Sequence, residues 1–231
     1  MARFDIVFFD VYDTLIDIAG VWDEVRERTT AAVLRSAGGL DARAFQKALR
    51  AATMRAAVQP GFRLGRDLLG DALEAACRSL GVAAPRAEQR RIIDEAFLAR
   101  RPFPEAPAVL AAVRRHYRAG ALTNADNDIL YACLERAGLE FDLIVTSEDA
   151  QSNKPDPAIF AHALALAGVP AQRALLVGDS QNDDLIGAHR AGMPVAWVNR
   201  RGEALRALDL KPGVELADLN GLPGFLGIAG D

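Results

Sequence analysis

Short apolar runs rich in β-branched and aromatic residues recur along this chain. They lie at Phe4–Phe9, Ala121–Leu122, Leu143–Val145, Ala174–Val177 and Val195–Val198. Each is followed by polar or small residues and then a helix-like stretch. Apolar runs of this length, bounded by turn residues, read as buried strands. From Arg101 onward the order helix, strand, helix, strand indicates a parallel α/β sheet, because a parallel pair needs a crossover that a helix supplies. Gly120, Gly138, Gly168 and Gly192 stand where helix-like stretches give way to the next strand. That is the position glycine takes when it ends a helix.

Residues from Ile18 to Arg100 break the alternation. They are rich in Ala, Arg, Leu and Glu, with apolar spacings of three and four that favour helices. Gly38–Gly39, Pro60–Gly61 and Gly81 with Pro85 divide the block into about four helices. The chain therefore reads as a core of residues 1–17 and 101–231 with a helical insert of residues 18–100. Ligands bind at the carboxyl ends of open parallel sheets, so a block inserted after the first strand is placed to act as a lid.

Composition narrows the function classes. The 27 basic residues against 31 acidic leave a net charge of −4, without the basic excess of a general nucleic-acid binder. No apolar run of about 18 residues is long enough to span a membrane, and the amino-terminal segment meets a charge too early for a secretory signal. The reading is a cytoplasmic protein. Cys77 and Cys133, the only cysteines, form no CxxC pair and lie in helix-like stretches, as buried structural thiols do.

Four polar clusters sit just after strand candidates. They are Asp10-Val11-Tyr12-Asp13-Thr14-Leu15, Leu122-Thr123-Asn124, Asn153-Lys154-Pro155-Asp156, and Gly178-Asp179-Ser180 through Asp183-Asp184. A parallel sheet brings such clusters to one edge. Carboxylates gathered there raise one another's pKa unless a cation intervenes. Mg²⁺, an oxygen-preferring ion that keeps several waters, resolves the repulsion and favours a phosphate-bearing substrate. An ionised Asp can attack phosphorus to give an aspartyl-phosphate, with a Lys and a hydroxyl cradle stabilising the transferring oxygens.

These clusters, in order, resemble the four motifs of the haloacid dehalogenase-like hydrolase superfamily, at Asp10, Thr123, Lys154 and Asp179 with Asp183–Asp184. The resemblance covers residues 1–17 and 101–231, and the helical block corresponds to that family's helical cap on a Rossmann-like core. It implies that Asp10 is the nucleophile, that Thr123 and Asn124 bind substrate, and that Lys154 stabilises nucleophile and transferring group. It implies Mg²⁺ ligation by Asp10, the backbone carbonyl of Tyr12, Asp179 and Asp184, with Asp183 competing for the last position. The partner implied is a small phosphorylated molecule.

One position departs from the phosphatase pattern. Phosphatases of the family carry a second Asp two residues after the nucleophile, and here that residue is Tyr12. A phenol with a pKa near 10 can donate a proton at neutral pH but is a poor base. Asp13 is not expected to replace it, because a neighbouring residue on an extended loop points elsewhere. Tyr12 resembles the 2-haloacid dehalogenases, which form an aspartyl carbon ester without metal. Those enzymes replace the first Asp of the fourth motif, whereas Asp179 is present here. The acidic cluster favours a phosphatase. The alternatives are a metal-independent 2-haloacid dehalogenase and a catalytically impaired binding protein. His116, His162 and His189 lack metal-site spacing and read as helix residues, Trp22, Tyr117 and Trp197 as packing, and Arg63 and Arg66 as solvated charges near a loop of the insert.

Overall fold

The computed structural model describes residues 4–59, 61–206 and 210–228. The chain divides into two compact units, residues 1–17 with 101–231, and residues 18–100. Pro60, read as part of a helix break, lies outside the described residues, as do both chain ends.

The first unit begins with β1 (Ile6–Phe9) and the two-residue β2 (Ile16–Asp17). The chain then enters the second unit through α1 (Val21–Ser36), α2 (Ala42–Ala57), α3 (Gly65–Ser79) and α4 (Arg86–Leu98). It returns through β3 (Arg101–Pro102), α5 (Ala106–Arg114), β4 (Arg118–Thr123), α6 (Asn127–Ala137) and β5 (Leu143–Thr146). Next come α7 (Ser147–Ala150), α8 (Pro157–Ala167), β6 (Ala174–Gly178), α9 (Gly187–Arg190) and β7 (Val195–Val198). The described chain ends with β8 (Val214–Leu216) and α10 (Leu222–Leu226).

Six strands form one sheet in the order β5-β4-β1-β6-β7-β8, every neighbouring pair parallel. All four residues of β1 are buried, because a parallel sheet is covered on both faces. Ile6 and Phe8 share one cluster with Leu122, Val145, Leu176 and Val195, capped by Ile159, Phe160 and Ala163 of α8. Full burial of a Phe of this kind contributes about 1.5–3 kcal/mol. Gly138 and Gly168 close α6 and α8 in the left-handed conformation, with φ of +64° and +69°.

Gly120 is different from the reading of it as a helix end. It lies inside β4, and a Cβ there would stand 2.5 Å from the ring of Phe8. Packing against an adjacent strand, and not a helix terminus, requires the glycine. The tail adds the sixth strand, β8, which is only three residues long and partly exposed.

The second unit is all helical. Phe45, Leu49 and Ala52 of α2 face Ala72, Leu73, Ala76 and Cys77 of α3, with Val33 of α1 completing the core. Asp41 starts α2 by accepting the backbone N–H of Ala44 at 2.9 Å. Cys77 is a buried structural thiol whose pKa burial pushes up. Among the described residues no helix is long and apolar enough to cross a membrane.

Candidate active site

Strand register builds the site. β1 pairs Phe9 with Ala121 of β4 on one side and with Val177 of β6 on the other. Each strand therefore ends within two residues of the same line, and Asp10, Thr123 and Asp179 emerge together at the carboxyl edge of three adjacent strands. The backbone N–H of Asp10 donates to the Val177 carbonyl at 2.8 Å, which continues the pairing to the first candidate residue.

Lys154 reaches this edge from the loop between α7 and α8 and is almost wholly buried. Its ammonium lies 2.8 Å from Asp10 Oδ1 and 2.6 Å from Asp184 Oδ1. Burial works to lower the pKa of Lys154, but the two carboxylates outweigh it and hold the ammonium above its ordinary value. The loop is pinned by Asn124. Its amide oxygen accepts the Lys154 N–H at 2.7 Å, and its amide nitrogen donates to the Lys154 carbonyl at 3.0 Å. Both ends of the Asn124 amide are thus engaged by the residue that carries the ammonium.

The acidic residues after β6 take separate parts. Asp184 is buried, and its second oxygen accepts the backbone N–H of Ser180 at 3.0 Å. The wide π-helical turn Gln181–Ile186 presents it inward. Asp183 stays at the start of that turn, where the Ser180 hydroxyl accepts its N–H at 3.1 Å and Asn182 donates to its carboxylate at 2.7 Å. Only Gly178 makes this fit possible, because a Cβ there would lie 2.4 Å from the Asp184 carboxyl carbon. Asp179 accepts a hydrogen bond from the Thr14 hydroxyl at 3.2 Å.

One oxygen from each of Asp10, Asp179 and Asp184 falls within 4.8 Å of the others. Burial, then Asp10, Asp184 and Asp13, push the Asp179 carboxyl up to about 8, against a smaller lowering by Thr14. Burial raises Asp184 to about 6 while Lys154 pulls it down. One ammonium thus faces more carboxylate than it can neutralise. An all-oxygen set with surplus negative charge suits a hard divalent cation.

Tyr12 lies two residues after Asp10 but turns its phenol toward Cys133 of α6. Burial first, then Cys133, Asp126 and Asp10, raise its pKa far above the ordinary value, so the hydroxyl stays protonated. Asp13 occupies a conformation that the reading of an extended loop did not anticipate. Its φ is +62°, and Arg201 lies 3.7 Å from its carboxylate. Thr123 is buried at the end of β4.

A family model for the haloacid dehalogenase-like hydrolases matches residues 4–192. The chain belongs to that family. Within it the relatives diverge. A phosphoserine phosphatase of Thermus thermophilus is 38% identical over 141 residues, 57% of this chain and 55% of that protein. An (S)-2-haloacid dehalogenase of Pseudomonas sp. strain YL is 29% identical over 222 residues, 92% of this chain and 90% of that protein. The alignments with the first relatives matched span about half of those proteins' own length. Among solved structures, a 2-haloacid dehalogenase from Pseudomonas syringae superposes with a TM-score of 0.75 at 26% identity, covering 97% of this chain and 98% of that one.

Several residues of this candidate site escape sequence reasoning. Thr14, Gly178 and Ser180 sit inside the polar clusters, yet nothing in their types reveals that they hold Asp179 and Asp184. Trp197, read as packing, is buried and also donates its indole N–H to the Asp179 carbonyl at 2.8 Å. The histidines stay apart: His162 lies in α8, His189 in α9, and His116 in the turn after α5. Tyr117 packs with its hydroxyl on the Leu226 carbonyl, Trp22 meets Phe97 edge-on, and Arg63 pairs with Asp71. Arg66 lines a cavity of about 340 Å³ within the helical unit, together with Arg86, Gln89 and Arg90.

Proposed function

We propose that the chain is a Mg²⁺-dependent phosphatase of small phosphorylated metabolites that works through an aspartyl-phosphate on Asp10. The observation that carries this reading is the gathering of three carboxylates within 4.8 Å of one another, only two of which, Asp10 and Asp184, pair with the single ammonium of Lys154. A haloacid substrate brings its own carboxylate, which this surplus of negative charge repels. Asp10, Asp179, Asp184 and the Tyr12 carbonyl would hold the cation, which supplies neutralising charge when bound.

In this reading Asp10 attacks phosphorus and the leaving oxygen departs with its electron pair. Water then cleaves the acyl-phosphate, releasing phosphate and restoring the Asp10 carboxylate. Lys154 pairs with Asp10 at 2.8 Å and faces the transferring oxygens, a preorganised charge that needs no rearrangement during reaction. Thr123 offers its hydroxyl to the phosphate. Asn124 fixes the Lys154 loop that the substrate meets.

A second reading, the 2-haloacid dehalogenase, is favoured by Tyr12 and by the alignment over nearly the whole length of a dehalogenase. A binding protein without turnover is the third. Phosphate and halide release, each measured with and without EDTA across sugar phosphates, nucleotides, phosphoacids and 2-haloacids, separates them. Phosphate release abolished by EDTA and by Asp10→Asn supports the phosphatase. EDTA-insensitive halide release overturns it.

A further inference from the structure

The carboxyl end of β7 contacts both partners of the Thr14–Asp179 hydrogen bond. Trp197 pairs with Gly178 in the sheet, and its indole N–H donates to the Asp179 carbonyl at 2.8 Å. Three residues on, the guanidinium of Arg200 donates through Nη2 to the Thr14 carbonyl at 3.0 Å. Asp179 is therefore held from its backbone and Thr14 from its backbone, and the two meet through side chains at 3.2 Å.

Arg200 is itself fixed on three sides. Its Nη1 pairs with Glu105 at 2.7 Å in a mostly buried contact. Its guanidinium carbon lies 3.6 Å above the centre of the Phe103 ring. The backbone before it is anchored by Asn199, whose amide nitrogen donates to Glu215 at 2.6 Å and to the Glu203 carbonyl at 2.9 Å. Phe103 in turn donates its N–H to the Leu15 carbonyl at 2.9 Å, so Arg200 and the residue stacked on it hold two successive carbonyls, those of Thr14 and Leu15. A carboxylate, a carbonyl and an aromatic face are met at once by a planar fork, which the single ammonium of lysine cannot reproduce.

From this geometry we infer that Arg200 is a positioning residue for the cation-binding carboxylates, acting through Thr14 on Asp179. The inference rests on the cation-dependent reading of the site. Asp179 is only partly buried and carries like charge from its neighbours, so its side chain needs a fixed donor to hold one orientation. The Thr14 hydroxyl is that donor, and Arg200 sets where it stands. Groups that orient a metal ligand from behind are typically worth about 10- to 100-fold in metal affinity.

The test is Mg²⁺ binding alone, by calorimetry, on Arg200→Lys, Arg200→Met, Thr14→Val and the double variant Arg200→Met/Thr14→Val, with thermal melts alongside. Arg200→Lys keeps a cation for Glu105 and should melt near the parent, yet bind Mg²⁺ about tenfold more weakly. Thr14→Val should weaken binding by a similar factor. The double variant should bind no worse than the weaker single, because both remove one contact. A lowered melting temperature with unchanged Mg²⁺ affinity overturns the inference, and so do fully additive losses. If Arg200→Met does not fold, Arg200→Lys with Thr14→Val carries the comparison. Should the parent bind no Mg²⁺, the phosphatase reading fails by itself. The positioning role is then decided by a crystal structure of Arg200→Lys, where an intact Thr14–Asp179 contact overturns it and a turned Asp179 side chain supports it.

Discussion

Lys154 meets Asp184 at 2.6 Å, closer than the 2.8 Å it keeps to Asp10. The ammonium is therefore shared by the nucleophile candidate and a carboxylate thirty residues further along the chain, and all three side chains are buried. A buried charge without its partner is far costlier than a surface one.

Replacing Lys154 with Met should leave Asp10 and Asp184 buried side by side without a counter-charge. The expected loss is about 3–5 kcal/mol at neutral pH. It should shrink under mild acid, where Asp184, raised to about 6, takes up a proton. Urea unfolding at the two pH values reads it, and equal losses at both would contradict the account.

The acidic cluster makes stability depend on pH in a defined direction. Asp179 is raised to about 8 and Asp184 to about 6 from the ordinary 3.8, so the folded chain binds these protons more tightly than the unfolded one. Their stabilising contribution is fully present below pH 3.8 and is lost as pH rises through about 6 and then about 8. The cation-free protein should melt progressively lower across that window, and Mg²⁺ should restore most of the loss at its upper end. Cation binding near neutral pH should release protons, giving a calorimetric enthalpy that changes with the buffer. An enthalpy independent of buffer would contradict the raised values.

Gly178→Ala adds one methyl at the place where Asp184 lies. The Cβ would come within 2.4 Å of its carboxyl carbon, and Gly178 itself is paired with Trp197 in the sheet. Asp184 must turn away from Lys154. Expected outcomes are a destabilisation of about 1–3 kcal/mol and loss of cation binding. An unchanged Mg²⁺ affinity would show that Asp184 is dispensable.

Tyr12 stands where a phosphatase of this family has its acid/base carboxylate. Its phenol is buried and stays protonated, so it offers no base at neutral pH. General acid–base assistance is typically worth about a hundredfold to ten-thousandfold. Tyr12→Asp should therefore raise the rate of aspartyl-phosphate hydrolysis, read as single-turnover phosphate release at fixed Mg²⁺ and pH. A dehalogenase should lose activity with the same change. A folded Tyr12→Asp whose dephosphorylation is unchanged or slower would mean that another group supplies this step.

The parallel sheet was legible in the chain because strands buried on both faces must be apolar throughout, and five of the six sheet strands announce themselves that way. The helical unit was legible because apolar residues at spacings of three and four leave one buried stripe per helix. Asp10, Thr123 and Asp179 were legible as types that follow strands, and parallel strands end at a common edge, whereas Lys154 arrives from the loop between α7 and α8. Tertiary structure alone decided the rest. Gly120 is set by a Phe8 ring more than a hundred residues away in the chain, which no local pattern encodes. The choice of Asp184 over Asp183 depends on a π-helical turn and on the space left by Gly178, since two adjacent carboxylates are equivalent until a backbone orients them. Arg200 is one arginine among many in the sequence. It becomes particular because the end of β7 brings it within hydrogen-bonding distance of Thr14, and long-range packing fixes that distance.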